Sequence, residues 1–430
     1  MRKVVVLSAD AMVSEDLATL KGLPNYRQYL QGGSEITRVR SIYPTITYPA
    51  HTTMATGVYP DRHGIDGNLV FEAREGELPW KWFHDAVKAP DIFTAAKRAG
   101  RTTAAVFWPV TGNHPDIDFL IDEYWTQGEA DTLEDAFARS GSNEQVMEIV
   151  RKHKALIEGH ERQHPACDRF IIACACDMLR QFKPDLMMIH PANIDGYRHR
   201  YGLFNDRVTE GVIETDQWIG DLFRAMEEAG TLKDTDFFLV SDHGQLEIKR
   251  IVNLNVLLAE AGLIWLDSQG RIADWKAYCL SGGMSALVYL KDPRDQQAYD
   301  KTWALLKEIE REGVYGVSRV YTAEEAQREQ RLSGPFQFVL ETDGYTSFGD
   351  SALRPLVKDF DSGDYRYGRA THGYLPEKGP QPILVAQGPD IAQGVVLPEG
   401  RLIDEAPTFA RLLGAEMTDV DGRVIEAILR

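Results

Sequence analysis

Five short apolar runs of strand length, separated by helix-patterned sequence, constrain this chain more than any other feature. They are Lys3–Ser8, Thr103–Phe107, Asp185–Ile189, Asp236–Val240 and Pro382–Ala386. Runs that are apolar on both faces must be covered on both faces. Their alternation with amphipathic helices predicts an α/β fold, a mostly parallel sheet sandwiched by helices. The expected helices include Asp91–Ala99, ended by Gly100, and Arg169–Phe182, ended near Pro184. In such a sheet a functional site lies beyond the carboxyl ends of the strands. Between about Lys249 and Arg369 the rhythm breaks. A Gly-rich strand candidate (SGGMSALVYL) is followed by a helix around Tyr299–Glu312 and short strands near Val317–Tyr321 and Phe336–Glu341. This predicts a smaller inserted α+β subdomain, 249–369, within a core made of 1–248 and 370–430.

The residues just past the strand ends carry the chemistry. Asp10 follows the first run, Asp195 trails the third, and Asp242 with His243 follows the fourth. One acid after a strand is ordinarily a turn or cap residue. Here the acids recur and are joined by histidines: His199 lies four residues after Asp195, and His372 sits in THGY just before the last run. The spacing of Asp195 and His199 places both donors on one face if the segment is helical. Gly244 in SDHG permits a sharp turn beside His243. Three carboxylates and three imidazoles suit zinc, manganese or iron better than magnesium, which prefers an all-oxygen shell.

Pro49 is well placed in the first turn of a helix, which puts Thr47 at the helix N-terminus. Free N–H groups and the positive end of the dipole there favour an alkoxide and an incoming phosphate. A threonine hydroxyl becomes a competent nucleophile once a metal ion takes over its proton's place. Taken alone, Thr47 reads better as only an N-cap.

Composition narrows the partners. The 430 residues carry a formal net charge of -18 and no long basic run, so a nucleic-acid polymer would be repelled. A small anionic substrate requires local positive charge, which bound cations supply. The run Val4–Leu7 is too short for a signal-peptide core, and no stretch approaches a membrane span. Cys167, Cys174 and Cys176 fall in one apolar helical pattern, and with Cys279 they are expected to be reduced, buried thiols. Together these features predict a cytoplasmic protein that does not engage a membrane.

The ordered set of motifs resembles the nucleotide pyrophosphatase/phosphodiesterase (type I phosphodiesterase) family of the alkaline phosphatase superfamily. The matching residues are Asp10, then Thr47-Tyr48-Pro49-Ala50-His51, Thr56-Gly57, Pro60, His63-Gly64-Ile65 and Asn68. Asp195 with His199, Asp242-His243 and His372-Gly373 complete the set, and IDEAPTFARLLG resembles the superfamily's closing helix. The resemblance implies an alkaline-phosphatase-like fold and two divalent transition-metal ions, zinc first and manganese as the alternative. It implies that Asp10, Thr47, Asp242 and His243 hold one ion, and Asp195, His199 and His372 the other. It further implies Thr47 as nucleophile and Asn68 as donor to a phosphoryl oxygen. The substrate implied is a small phosphodiester or nucleotide-like pyrophosphate. His51 and His63 are expected to be structural, and Trp80, Trp82 and Trp108 core or pocket wall.

The sequence departs from the family pattern at two places. Ala50 stands where an asparagine is usual, and His190 stands where a base-stacking tyrosine is usual, five residues before Asp195. Tyr48 and His190 are therefore the expected base-contacting residues. Phosphonoacetate hydrolases are the nearest rival: HGIDGN and APDIF resemble them, but FWPVTGNHPD lacks the lysine that would hold a substrate carboxylate. A phosphomonoesterase on the same site is a further alternative, although Pro44–Asp61 contains no Arg or Lys to match a dianion. A non-catalytic, metal-stabilised binding protein is the alternative from outside enzymology.

Overall fold

A computed structural model describes residues 2–128 and 130–430. Eight strands form the main sheet. Their order is Val396–Leu397, Ser34–Ile36, Leu384–Gln387, Thr235–Val240, Lys3–Ser8, Leu186–Ile189, Thr103–Val106 and Phe119–Ile121. Four of the five expected runs pair in parallel at the centre of this sheet. The fifth is a correction: Leu384–Gln387 runs antiparallel to both of its neighbours. An apolar run is buried on both faces whichever way it points, so hydrophobic pattern carries no direction. Three short strands, Ser34–Ile36, Phe119–Ile121 and Val396–Leu397, are too brief for periodicity to mark them.

Alternation along Lys3–Ser8 divides the core. Val5 and Leu7 pack with the helices Ala166–Gln181 and Asp206–Ala229 on one face. Val4 and Val6 pack with Thr47–Thr56, Ile92–Arg98 and Glu405–Leu413 on the other. Each fully buried aliphatic or aromatic side chain contributes about 1.5–3 kcal/mol. The helices begin where local chemistry favours it. Asp91 accepts the Thr94 N–H at 2.9 Å, and Asn205 accepts those of Arg207 and Val208. All four cysteines are unpaired and buried. Among the described residues no helix is long and apolar enough to cross a membrane.

A separate four-stranded antiparallel sheet, ordered Ala277–Ser281, Ser285–Leu290, Phe338–Thr342 and Val317–Thr322, has its own core with the helix Gln296–Glu312. Leu246–Glu247 pairs with Ala370–Thr371, so the chain leaves and re-enters the main body side by side. On that pairing we propose 249–369 as the inserted unit and 1–248 with 370–430 as the body.

Candidate active site

Strand register brings the expected residues to one edge. Leu7 lies level with Ile189 and Ser8 with Val240, so Asp10, His190 and Asp242 leave the sheet together. Ala11 adopts φ 56°, a left-handed conformation that costs a residue with a Cβ roughly 1–2 kcal/mol. The turn is tied down on both sides. The Ala11 N–H donates to Asp242 Oδ1 at 3.2 Å, and its carbonyl accepts from Arg198 Nε at 3.2 Å. Gly244 has a different role from the one expected. Its φ is not left-handed; a Cβ there would collide with the Pro380 carbonyl.

Two groups of acids and histidines result. In one, ligand atoms of Asp10, Asp242 and His243 lie within 4.8 Å of one another; in the other, those of Asp195, His199 and His372 do. Asp195 and His199 share one face of the helix Asn193–Tyr201, with Asp195 Oδ2 3.1 Å from His199 Nε2. The groups abut, since the His243 and His372 rings stack at 4.1 Å. Thr47 opens the helix Thr47–Thr56 beside the first group, its Oγ1 3.2 Å from His243 Nε2. Asn68 Oδ1 accepts the Tyr48 N–H at 3.0 Å. That bond fixes the amide, so its NH2 remains as the donor beside Thr47.

The electrostatics of both groups call for cations. Burial, then Asp195 and Glu123, pushes the Asp10 carboxyl well above its ordinary range. Burial and Asp10 push Asp242 up to about 7. Asp10 Oδ1, Asp242 Oδ2 and His199 Nε2 are buried with no hydrogen-bond partner among the described residues. A divalent cation fits such a donor set, because it neutralises the crowded carboxylates and occupies the orphaned lone pairs. The tautomer of His199 agrees: Nδ1 donates to the Ala370 carbonyl at 2.7 Å, which leaves Nε2 bare as a ligand.

A third group, His84, Asp91 and His114, fails that tautomer test. His114 Nδ1 accepts the Asp116 N–H at 3.0 Å, so the proton sits on Nε2, which donates to Asp91 Oδ2 at 2.7 Å. The ring has no lone pair left for a cation. This group braces the Asp91 cap. His51 and His63 are structural as expected: His51 joins Ser8 Oγ to the Thr47 carbonyl, and His63 joins Thr53 Oγ1 to the Ile65 N–H.

The sequence profile of type I phosphodiesterase / nucleotide pyrophosphatase matches residues 4–375. The chain belongs to that family. It is similar to human ectonucleotide pyrophosphatase/phosphodiesterase family member 1, 23% identical over 266 residues that cover 60% of this chain and 25% of that protein. An ectonucleotide pyrophosphatase/phosphodiesterase of Caenorhabditis elegans is 22% identical over 429 residues, covering 96% of this chain and 47% of that protein. The bis(5'-adenosyl)-triphosphatase of Xenopus laevis is 22% identical over 266 residues, covering 59% of this chain and 50% of that protein. The chain thus spans between a quarter and a half of the length of these curated relatives. Among solved structures, murine ectonucleotide pyrophosphatase / phosphodiesterase 5 superposes with a TM-score of 0.65 at 17% identity over 100% of both chains. An inactive variant of that mouse protein, in complex with AMP, superposes equally well. At that identity the likeness establishes the alkaline-phosphatase-like fold.

Of the two residues expected to contact a base, His190 lines the cleft and Tyr48 does not. His190 is buried; Nε2 pairs with Asp10 Oδ2 at 2.9 Å and Nδ1 with the Phe107 carbonyl at 3.2 Å. It supports Asp10, and its ring packs on that of His51 with centroids 4.2 Å apart. Tyr48 is also fully buried, beneath Trp80, with ring centroids 5.3 Å apart. Among the aromatic residues lining the cleft of about 1080 Å³, Trp80 packs against both Trp125 and Tyr365. Tyr365 comes from within 249–369, and Arg162 covers Trp125 at 4.8 Å. Trp82 and Trp108 are core, as expected. Glu123 also lines the cleft, and burial pushes it up to about 8. It follows a strand end, the same signal that marked Asp10 and Asp242, but Phe119–Ile121 is too short to read as a strand.

Proposed function

We propose that this chain hydrolyses phosphodiester or nucleotide pyrophosphate bonds through a phosphothreonine at Thr47. One observation carries the reading. The Thr47 hydroxyl opens a helix, 3.2 Å from His243 and beside the first of two abutting acid–histidine groups whose buried lone pairs lack partners among the described residues. Two divalent transition-metal ions, zinc by the family pattern, would be held by Asp10, Thr47, Asp242 and His243 and by Asp195, His199 and His372, and would supply the charge that activates the hydroxyl and steadies the leaving oxygen.

The chain's own groups do the rest. The helix N-terminus offers the Thr47 N–H to a phosphoryl oxygen; the Tyr48 N–H is already given to Asn68 Oδ1, Pro49 has none, and the Ala50 N–H donates to the Ile46 carbonyl. The Asn68 amide NH2, fixed through Oδ1, donates to a non-bridging oxygen as charge develops on it. His190 Nε2 aims Asp10 through its contact with Oδ2. Asn68 is neutral and matches the single charge of a diester; the segment Pro44–Asp61 offers no Arg or Lys for a dianion. The human and nematode relatives bear the name nucleotide pyrophosphatase/phosphodiesterase, which supports the same substrate class. The test is hydrolysis of a chromogenic phosphodiester by purified protein, with and without a strong chelator, alongside Thr47→Ala. Turnover that survives either the chelator or the substitution overturns the mechanism.

A further inference from the structure

His164 lines the same cleft and belongs to neither acid–histidine group. Its Nδ1 pairs with Asp168 Oδ2 at 2.7 Å. Asp168 is fully buried, and its other oxygen accepts the Ala192 N–H at 2.8 Å. With both oxygens accepting, Asp168 is an ionised acceptor, and the proton of the pair lies on His164 Nδ1. Nε2, which has no hydrogen-bond partner among the described residues, is the ring's only variable site. The ring is also fixed in position. Its Cδ2 edge abuts Gly196, where any Cβ would strike it, and Gly196 adjoins Asp195. A carboxylate that sets the tautomer and aims the free nitrogen of an imidazole into a cleft is the arrangement used to move protons.

In-line displacement decides which proton. The nucleophile Thr47 lies by the Asp10–Asp242–His243 group, so the leaving oxygen departs on the opposite face of phosphorus. That face belongs to the Asp195–His199–His372 group, where His164 sits.

We propose that His164, oriented by Asp168, is the acid–base residue of the leaving-group side. This inference rests on the phosphothreonine reading above. In the first step the Thr47 Oγ1–P bond forms, the P–O bond to the leaving group breaks, and the Nε2 proton passes to the departing oxygen. In the second step a water oxygen bonds to phosphorus and gives its proton to Nε2. The Thr47 Oγ1–P bond then breaks, and Thr47 recovers from solvent the proton it gave up. His164 ends each turnover as it began.

A proton donor matters most when the leaving group is basic. The experiment takes aryl and alkyl phosphodiesters that share one ester arm and differ in leaving-group pKa, from 4-nitrophenol to a simple alcohol. The kcat/KM of wild type, His164→Gln and Asp168→Asn is measured on each. General acid catalysis contributes about 10²–10⁴-fold. In His164→Gln the alkyl-to-nitrophenyl ratio is therefore expected to fall at least tenfold, with a steeper dependence on leaving-group pKa. Asp168→Asn is expected to shift the ratio in the same direction and carries the test if His164→Gln does not fold. A uniform loss across the series means a structural role and overturns the proposal, as does an unchanged ratio. If wild type turns over none of the diesters, the phosphothreonine reading itself fails and takes the inference with it.

Discussion

Asp236 offers a stability test that is independent of the cleft. It lies in Thr235–Val240, the strand whose far end leads to Asp242, and its side chain is fully buried. Oδ1 accepts the Asp390 N–H at 3.0 Å, whereas Oδ2 has no partner among the described residues. Burial pushes the carboxyl up from 3.8 to about 6. An acid whose folded pKa is raised stabilises the fold while it is protonated in both states. Stability is then lost as pH rises from the unfolded value through the folded one. With each tenfold change in proton affinity worth about 1.4 kcal/mol, the ionised group costs about 3 kcal/mol at pH 8 and under about 1 kcal/mol at pH 4. Asp236→Asn keeps the acceptor for Asp390 and removes the ionisation. Unfolding entropy scales with length, and for a chain of this size about 3 kcal/mol corresponds to roughly 3 °C. The variant should therefore melt about 3 °C above wild type at pH 8 and within about 1 °C of it at pH 4. Scanning calorimetry of both proteins across that range is the assay, with diesterase activity as a control expected not to change. A gain that does not depend on pH, or a loss at pH 8, refutes the reasoning.

Four further outcomes are expected. Thr47→Ala should lower kcat by at least about 10³-fold, roughly 4 kcal/mol of transition-state stabilisation, while the protein stays folded and keeps its metal content; residual kcat above a tenth of wild type removes Thr47 as nucleophile. Asn68→Ala should cost about 10²–10³-fold in kcat, and a change confined to KM would instead make Asn68 a ground-state contact. Elemental analysis should find two transition-metal ions per chain; chelation should lower Tm, by about 4 kcal/mol of stability for ions held at a thousandfold over Kd, and a single ion or an unmoved Tm counts against the pair of sites. In kcat/KM a nitrophenyl phosphodiester should exceed the matching monoester and phosphonoacetate, and a preference for either of those by more than about tenfold, or 1.4 kcal/mol, rules out the diesterase assignment.

Much of the site was legible because the strand pattern itself locates it. Parallel strands end on one edge, so acids and histidines just past several apolar runs must converge there wherever the helices between them go. Asp10, Asp195, Asp242 and His243 were readable for that reason, His199 through its spacing from Asp195, and Thr47 because a proline in the first turn marks a helix start; His372 precedes Leu384–Gln387, which runs antiparallel, so the rule does not place it. Local pattern also placed the helices Ile92–Arg98 and Gln296–Glu312 to within a few residues.

Side-chain partnership across distant segments was decided only by the tertiary structure. His190 supports Asp10 across 180 positions of sequence, and the tautomer that bars a cation from His114 depends on one backbone N–H. Trp80 rather than Tyr48 faces the cleft because the loop that carries it folds over the Thr47 helix. Tyr365 and His164 reach the cleft from 249–369 and from the approach to a helix that reads as ordinary core. The direction of Leu384–Gln387 belongs in the same class. Periodicity reports which face of an element is buried, a local property of spacing and hydrophobicity. Which side chain meets which depends on how the elements pack, and that is fixed by contacts between residues far apart in the chain.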